Sequence, residues 1–351
     1  IRLIDADAVA LSSATAVCDV LLEDTAETEF VLRGAQRYVP RLDQLALRDL
    51  APSSRKIETA GDAANFAVTM TRPGTIDNVV LRETIEPTLG PDEALVEIAA
   101  VGLNFRDIMA ATGILPDELE NDDAYWRNLG LEFSGTVRRV GPGVSNLRPG
   151  DRIMGMGKGY LRRFAKVRAD YVMRVPDRLE LVEAATLPTA FLTAHYALNH
   201  VARLARGETA LIHLASGGVG LAAVQVARDR GAKLFGTAGS EQKRAFLSAM
   251  DLDKVMNSRS LDFADEVRAA THGRGVDVVL NALSGSGIDK SLDCLAPFGR
   301  MIEIGKRDLA EDKPIGLRSL YRNNAYSVID LSTLPIEKPD LFRQLLREVE
   351  A

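Results

Sequence analysis

Cysteine and histidine are scarce in this chain of 351 residues. It has two cysteines, Cys18 and Cys294, and four histidines, at positions 195, 200, 213 and 272. So few thiols exclude a disulfide framework and a multi-cysteine zinc lobe, and we expect both cysteines to be buried as small apolar side chains. The histidines show no spacing typical of a convergent metal site. The sequence therefore predicts no bound metal.

Excess positive charge and long apolar runs are missing as well. The 43 basic residues are outnumbered by 49 acidic ones, and a net charge of −6 offers no basic field to a nucleic acid or an anionic membrane surface. No stretch approaches the ~18 consecutive apolar residues that cross a bilayer. The beginning of the chain also lacks the cationic start and apolar run of a signal peptide. We expect a cytoplasmic protein with neither a membrane nor a nucleic-acid partner.

Apolar runs alternate with helical patterns between residues 207 and 305, which is typical of βαβ units and a parallel sheet. The overall composition, 46% hydrophobic and 26% charged, is that of an ordinary globular protein. A chain of this length predicts more than one domain, because single cores rarely grow beyond ~250 residues. We expect a Rossmann-type, doubly wound α/β half with strands at 209–215, 233–238, 254–258, 276–283 and 299–305, and a sixth at 325–331.

Upstream of this half, residues 65–180 have a different pattern. Short alternating strands such as ALVEIAAVGL and GTVRRVG are separated by turn sequences that include GPGV and RPGD. This pattern predicts an antiparallel, barrel-like domain. Residues 1–50 predict a third unit, with two strands around a short helix, and the polar stretch LAPSSRKIETAGD then indicates a linker. At the other end, DLFRQLLREVEA predicts a final helix.

A glycine-rich turn follows the first strand of the parallel half. Ala215, Gly217 and Gly220 occupy the three positions of a dinucleotide fingerprint, with alanine in place of the first glycine. Gly217 would let the backbone approach a pyrophosphate, and Gly220 would let the helix pack close to the strand. The helix N-terminus would add amide donors. We therefore predict cofactor binding at Ala215, Gly217, Gly218, Val219 and Gly220, with a simple tight turn as the alternative.

The end of the second strand indicates which nicotinamide cofactor binds. An acidic residue there would accept hydrogen bonds from the ribose hydroxyls of NAD, but the chain has Ala238. Ser240, Lys243 and Arg259 can instead bind a 2′-phosphate by charge-assisted hydrogen bonds. The predicted cofactor is NADPH. For Lys243, a solvated helix face is the alternative.

Six motifs together resemble a known family. They run in the order seen in the enoyl reductase domains of type I modular polyketide synthases and animal-type fatty-acid synthases, which belong to the zinc-independent, quinone-oxidoreductase-like branch of the medium-chain dehydrogenases/reductases. Residues 1–50 also resemble the end of the structural ketoreductase subdomain that precedes such a domain. The motifs are LNFRDIMAATG (103–113), LGLEFSGTVRRVGPGV (129–144), RPGDRI (148–153), LPTAFLTAHYAL (187–198), HLASGGVGLAA (213–223) and GVDVVLNALSG (275–285).

The resemblance implies a Rossmann-type doubly wound parallel sheet together with a GroES-like antiparallel β-barrel. Family members continue beyond the present end of the chain, so we expect the last segment to begin a return to the substrate domain that is truncated here. The implied division is a ketoreductase-like fragment at 1–50, a linker at 51–62, a substrate-binding domain at 63–185, an NADPH-binding Rossmann domain at 186–331 and the start of the return at 332–351.

The activity that the resemblance implies is NADPH-dependent reduction of the C2=C3 double bond of an α,β-unsaturated acyl thioester. The substrate would be carried on an acyl carrier protein, with ketoreductase and dehydratase domains as neighbours in the same polypeptide. Charge develops on the thioester oxygen and a proton must reach the α-carbon, so the site needs hydrogen-bond donors and an acid. By resemblance Lys306 matches the family's proposed proton donor and Asp330 its acidic partner. The Asp330 carboxylate would hold the Lys306 ammonium in place, but it would also favour the charged form of the lysine and so oppose release of the proton. Two alternatives therefore stay open: a phosphate or cofactor contact for Lys306 and a strand-end cap for Asp330.

Zinc alcohol dehydrogenases of the same superfamily carry a cysteine at the position of Asn104, and Gly-His-Glu where this chain has Gly130, Leu131 and Glu132. Two of the roughly three ligands that a catalytic zinc needs are therefore missing. Reduction of a conjugated C=C bond does not require that Lewis acid.

The remaining site residues come from the resemblance alone. Asn104, Phe105 and Arg106 would line the substrate cleft, with a structural ion pair beneath the cleft as the alternative for Arg106, while Thr193 and Asn281 would contact the cofactor. Two other functions stay open. A free-standing NADPH:quinone or enone reductase is disfavoured by residues 1–50, and a non-catalytic scaffold is disfavoured by the intact glycine turn.

Overall fold

The computed structural model of the protein describes residues 3–6, 14–22, 25, 27, 29–33, 36–39, 57, 61, 64–114 and 128–351. These residues fall into two units, 1–53 and 54–351. Only residues 57 and 61 of the predicted linker at 51–62 are described, so that prediction lies almost entirely outside the described residues.

The first unit is a small sheet with one helix. Its first two strands are parallel and the last two form a hairpin, because the run predicted as one strand turns back on itself between residues 33 and 36. Val20, Phe30 and Leu32 form its buried core. The elements are β1 (Leu3–Ala6), α1 (Ala14–Leu22), β2 (Glu29–Arg33) and β3 (Gln36–Tyr38).

The two cysteines have different environments. Cys294 is buried, as predicted, and burial raises the pKa of its thiol to about 12. The prediction that Cys18 is buried was wrong, because its side chain is exposed. A short helix beside a small sheet buries only one stripe. In α1 that stripe contains Val17 and Val20, and Cys18 lies outside it.

An antiparallel lobe begins the second unit, as the alternating pattern predicts. Its five-stranded sheet has the order β10-β8-β7-β6-β9, and a separate hairpin pairs β4 with β5. Phe133, Val96 and Ile153 lie in its core. The RPGD turn between β7 and β8 places Gly150 at φ 94°, a conformation that favours glycine. The elements are β4 (Phe66–Met70), β5 (Val79–Glu83), β6 (Glu93–Gly102), α2 (Phe105–Thr112), β7 (Glu132–Val140), β8 (Arg152–Met156), β9 (Phe164–Arg168) and β10 (Val172–Arg174), with a 3-10 helix at Ile76–Asn78.

A six-stranded parallel sheet follows, in the order β13-β12-β11-β14-β15-β16. This confirms the predicted doubly wound sheet, including its sixth strand, which pairs in parallel with the fifth. The strand order reverses between β11 and β14, and ligands of such sheets bind outside the strand ends at this switch point. The strands are β11 (Thr209–Ile212), β12 (Lys233–Ala238), β13 (Lys254–Asn257), β14 (Val276–Asn281), β15 (Leu295–Glu303) and β16 (Ala325–Val328).

Helices cover this sheet and connect its strands. The predicted strand at 209–215 ends earlier, at Ile212, because Leu214 turns the backbone with φ 51°. The helices are α3 (Leu181–Ala184), α4 (Pro188–His195), α5 (Gly218–Asp229), α6 (Glu241–Ala249), α7 (Phe263–Ala270), α8 (Ser286–Asp293), α9 (Arg307–Ala310), α10 (Leu334–Glu337) and α11 (Pro339–Glu350), with a π-helix at Tyr196–Val201 and 3-10 helices at Leu317–Leu320 and Leu331–Thr333.

The last helix, α11, packs against the antiparallel lobe. The Phe342 ring meets the Tyr171 ring edge to face at 5.1 Å, and Arg343 pairs with Asp170 at 3.0 Å. None of the described helices is long and apolar enough to cross a bilayer.

Candidate functional site

The glycine turn joins the end of β11 to the start of α5. A Cβ on Gly220 would lie 2.5 Å from the Leu214 carbonyl oxygen and 2.6 Å from the Ala215 Cα, so only glycine lets the helix sit this close to the strand. A Cβ on Gly218 would meet nothing within 4 Å, and one on Gly217 would meet only the Leu214 carbonyl, at 3.3 Å. The exposed backbone of residues 217–218 at a helix N-terminus therefore fits an approaching pyrophosphate.

Basic side chains lie at the end of β12. Arg259 is exposed and lies against Gly239, since a Cβ on that glycine would be 3.0 Å from its Nε. Ser240 caps α6, and its hydroxyl accepts a hydrogen bond from the Lys243 amide at 3.3 Å. The Lys243 side chain lies on the exposed face of this helix. The structure thus brings Ser240 and Arg259 to one strand end, and that strand ends on Ala238 rather than on an acidic residue.

Arg244 joins this group, although the sequence analysis did not select it. Its guanidinium donates a hydrogen bond to the carbonyl oxygen of Ala238 at 3.3 Å. Its signal in the sequence is the adjacent pair Lys243 and Arg244 at the start of α6. Because a helix turns about 100° per residue, one of two neighbours can face solvent while the other points back at the strand end.

A cavity of about 270 Å³ opens beside these residues. It is lined by the loops that follow β13 and β14, including Arg259, Leu283 and Ser284. This is the strand edge where doubly wound sheets bind ligands. A larger cavity of about 510 Å³ lies on the antiparallel lobe beside residues 88–93. It is remote from the strand ends, so the smaller cavity is the better candidate.

Lys306 and Asp330 meet at the same edge of the parallel sheet. The Lys306 Nζ lies 3.0 Å from the Asp330 Oδ2, and both side chains are partly buried. The other carboxylate oxygen accepts hydrogen bonds from the amide and hydroxyl of Ser332, at 2.9 and 2.8 Å. Burial raises the pKa of Asp330, but the Lys306 charge and the Ser332 hydrogen bonds outweigh it and hold that pKa below its ordinary value. Asp330 is therefore both a cap and the partner of Lys306.

The position equivalent to a catalytic zinc site holds a hydrogen-bonded group. Asn104 Nδ2 donates to Glu132 Oε1 at 2.9 Å, and the Thr189 amide donates to Glu132 Oε2 at 2.8 Å. Burial raises the pKa of Glu132. Both carboxylate oxygens are occupied and Leu131 offers no ligand atom, so these residues do not fit a catalytic zinc.

The remaining cleft residues lie on or next to α2. Phe105 is 78% exposed and the neighbouring Leu103 is 74% exposed, which gives this face an open apolar surface. Arg106 is partly buried. Asp107 is buried and accepts hydrogen bonds from the amides of Gly130 and Asn104, so it fixes the local backbone.

The two residues assigned to the cofactor by resemblance have different surroundings. Thr193 is partly buried on α4. Asn281 is fully buried at the end of β14, and its amide donates to the Leu283 carbonyl at 2.9 Å and to Glu303 Oε2 at 2.5 Å. Glu303 was missed by the sequence analysis, because a carboxylate at a strand end is usually solvated.

Among the described residues, His195, His200 and Glu348 form the one cluster with metal-ligand chemistry. Both imidazole Nε2 atoms lie 2.6 Å from the same Glu348 oxygen. In an α-helix, residues at the spacing of His195 and His200 do not lie on the same face, so the sequence did not indicate this pair. The two imidazoles converge because a π-helix begins after His195. The Asn199 amide nitrogen lies 2.8 Å from His195 Nδ1, and Arg230 fixes the amide by donating to its oxygen at 2.8 Å. The Asn199 amide therefore orients the His195 ring, and the cluster fits a set of hydrogen bonds that holds α11 better than it fits a metal site.

Two families of known domains match the chain. The alcohol dehydrogenase GroES-like domain matches residues 90–177, and the zinc-binding dehydrogenase domain matches residues 218–350. A component of the phenolphthiocerol/phthiocerol polyketide synthase of Mycobacterium tuberculosis is 38% identical over 355 residues. That match covers 99% of this chain and 16% of the relative, so the chain spans only a small part of such a protein.

Solved structures with the same fold include two enoyl reductases. The CurK enoyl reductase is 39% identical with a TM-score of 0.75, over 81% of this chain and 86% of that one. The JamJ enoyl reductase in its apo form is 35% identical with a TM-score of 0.74, over 82% of this chain and 87% of that one.

Proposed function

The chain belongs to the enoyl reductase family of polyketide synthases, and on that basis we propose that it uses NADPH to reduce the C2=C3 double bond of an α,β-unsaturated acyl thioester. The observation that carries the proposal is the Lys306–Asp330 pair, 3.0 Å apart at the same sheet edge as the glycine turn. An ammonium group there can donate a hydrogen bond to a developing enolate.

The fold implies a nicotinamide cofactor, and the choice of NADPH rests on the end of β12. The backbone at Gly217 and Gly218 would hold the pyrophosphate, with Ala215, Val219 and Gly220 shaping the turn. Ser240, Arg244 and Arg259 would hold a 2′-phosphate, since charge-assisted hydrogen bonds from guanidinium groups suit phosphate oxygens. Lys243 would add charge from the exposed helix face. When bound, NADPH supplies a hydride to the β-carbon.

The residues of the chain would then handle the charge and the proton. As the β-carbon is reduced, electrons of the double bond move to the thioester oxygen, and the α-carbon must gain a proton. Lys306 holds a proton at Nζ, and Asp330 keeps that ammonium at the sheet edge. Leu103 and Phe105 would contact the acyl chain through their exposed apolar surfaces. Asn104 and Arg106 would complete the polar side of the cleft.

The proposal extends to the surroundings of the domain. The substrate would arrive on an acyl carrier protein, with ketoreductase and dehydratase domains in the same polypeptide and the whole in the cytoplasm. The presence of neighbouring domains is supported by the polyketide synthase relatives, of which the chain spans only 16% in one case.

Oxidation of NADPH in the presence of a crotonyl thioester, followed by absorbance of the nicotinamide, tests the function. We expect turnover with NADPH and little with NADH. Equal rates with both cofactors would contradict the phosphate site at Ser240 and Arg259. Activity with a quinone but not with the thioester would favour the free-standing reductase, and no nucleotide binding at all would favour a scaffold.

A further inference from the structure

A row of buried polar side chains crosses the parallel sheet just below its ligand-binding edge. His213 Nδ1 lies 3.1 Å from the Thr237 hydroxyl, and His213 Nε2 lies 2.9 Å from the Ser291 hydroxyl. Ser291 reaches Asn281 Oδ1 at 3.5 Å, and Asn281 donates to Glu303 at 2.5 Å. Thr237 lies on β12, His213 directly follows β11, Asn281 ends β14 and Glu303 ends β15, while Ser291 lies on α8. Burying so many polar groups is costly unless each is hydrogen-bonded, as these are.

Glu303 is the one carboxylate in this row, and it is only 2% exposed. Its Oε2 accepts the hydrogen bond from Asn281, and its Oε1 accepts one from the Gly305 amide at 2.6 Å. Asn281 and Glu303 also face each other in the register of β14 and β15. One side chain thus ties the loop after β14 to the turn that leads into Lys306.

We propose that Glu303 is a positioning residue of this reductase, which as a carboxylate holds the Asn281 amide with one oxygen and the Gly305 amide with the other, and so fixes the turn that carries Lys306. The proposal rests on the function proposed above. Both of its main partners are N–H donors, so the ionised form presents an unprotonated oxygen to each and is the better acceptor for the pair. A protonated carboxyl group would direct its hydrogen at one donor or leave that donor poorly paired.

The groups around Glu303 bring its pKa close to neutral pH. Burial raises the pKa of Glu303 to about 7, although the hydrogen bonds from Asn281 and Gly305 lower it. Two other groups face it. The Asp308 carboxylate raises the same pKa by its charge, and the Tyr326 hydroxyl, 3.5 Å from Oε2, lowers it. Asp308 also accepts a hydrogen bond from the Gly285 amide, so it ties the same two loops.

The test compares Glu303→Gln and Glu303→Asp with a control, Asp312→Asn, which removes an exposed carboxylate from the same segment. Hydrogen exchange of the amides in 281–285 and 304–307 is measured from about pH 5.5 to about pH 8.5, since the ionisation lies inside that range. Glutamine presents an NH₂ group to one of the two donors. We expect at least about tenfold faster exchange in Glu303→Gln at the upper pH, the loss of roughly one hydrogen bond.

Turnover over the same pH range gives the second readout. In the wild type, kcat should fall as pH drops through about 7, while in Glu303→Gln it should be about tenfold lower and without that step. NADPH affinity, followed by fluorescence, should change less than about threefold, because the glycine turn is not touched. Glu303→Asp keeps the charge and should partly rescue kcat together with the pH step. The control should match the wild type.

Two results would overturn the proposal. One is a Glu303→Gln variant whose amide hydrogen exchange and kcat both equal those of the wild type. The other is a lower kcat in Glu303→Gln that still falls as pH drops through about 7, as in the wild type. The titrating group would then be a different residue, and Glu303 would contribute only to packing. If the wild type fails to reduce the thioester but its loops respond to pH and to Glu303→Gln as expected, the proposed function fails while the positioning of the loops stands.

Discussion

Alanine substitutions at two glycines of the same turn should have opposite effects. Gly218 and Gly220 are two residues apart in the first turn of α5. A Cβ at Gly220 would lie within 2.7 Å of three backbone atoms of Leu214 and Ala215, whereas one at Gly218 meets no protein atom within 4 Å. We therefore expect Gly220→Ala to destabilise the fold, and Gly218→Ala to leave the fold intact but to obstruct the pyrophosphate.

The magnitudes follow from these distances. At Gly220 the obstacles are backbone atoms, so α5 must move away from β11, and overpacking of this kind costs about 1–3 kcal/mol. In a unit of this size that lowers Tm by roughly 2–10 °C. At Gly218, alanine has the better helix propensity and should stabilise by up to ~1 kcal/mol. The added methyl group would occupy space needed by phosphate oxygens, so the Kd for NADPH should rise at least about tenfold, a loss of ~1.4 kcal/mol.

Thermal unfolding without nucleotide and fluorescence titration with NADPH separate the two effects. Gly218→Ala should keep the wild-type Tm or exceed it, and should bind NADPH weakly. Gly220→Ala should unfold at a lower temperature even without nucleotide. If Gly218→Ala bound NADPH with wild-type affinity, the dinucleotide would not lie across this turn, and the assignment of the cofactor site would be wrong.

Three further predictions concern charged residues. Arg259→Ala should raise the Kd for NADPH about tenfold or more and leave NADH binding unchanged; equal losses for both nucleotides in the titration would contradict a 2′-phosphate contact. Lys306→Ala should lower kcat by about 10²–10⁴, the usual contribution of an acid catalyst, with NADPH affinity retained; a lost affinity would make Lys306 a cofactor contact instead. Burial raises the pKa of Glu303 from its ordinary value of 4.5 to about 7 in the folded protein. The folded state therefore binds the Glu303 proton more tightly than the unfolded state, and this adds to the free energy of unfolding in full below about pH 4.5. Up to about 3 kcal/mol of this stabilisation is lost as pH rises to about 7. Tm measured against pH should show this decline in the wild type, and an equal decline in Glu303→Gln would assign it to another group.

The parallel half was predictable because its signals are local. Buried parallel strands appear as short apolar runs bounded by turn residues, and β12 has the predicted bounds, 233–238. The end of β11 was missed because Leu214 adopts φ 51°, which no neighbouring residue type indicates. The convergence of His195 and His200 was missed for a similar reason, since a π-helix is needed to align them. Such backbone irregularities depend on tertiary packing rather than on side-chain periodicity.

From residue spacing alone, the site was predictable only where one segment carries the whole chemistry, as the glycine turn does. The choice of Lys306 and Asp330, which lie on two segments and are 3.0 Å apart, came from the resemblance. Asn281 and Glu303 lie 22 residues apart and become partners through the pairing of β14 with β15. The resemblance assigned Asn281 to the cofactor, but the structure uses both of its amide hydrogens on Leu283 and Glu303. Residues of this kind are recognised from hydrogen-bond partners and not from motifs, because their role depends on which strands become neighbours.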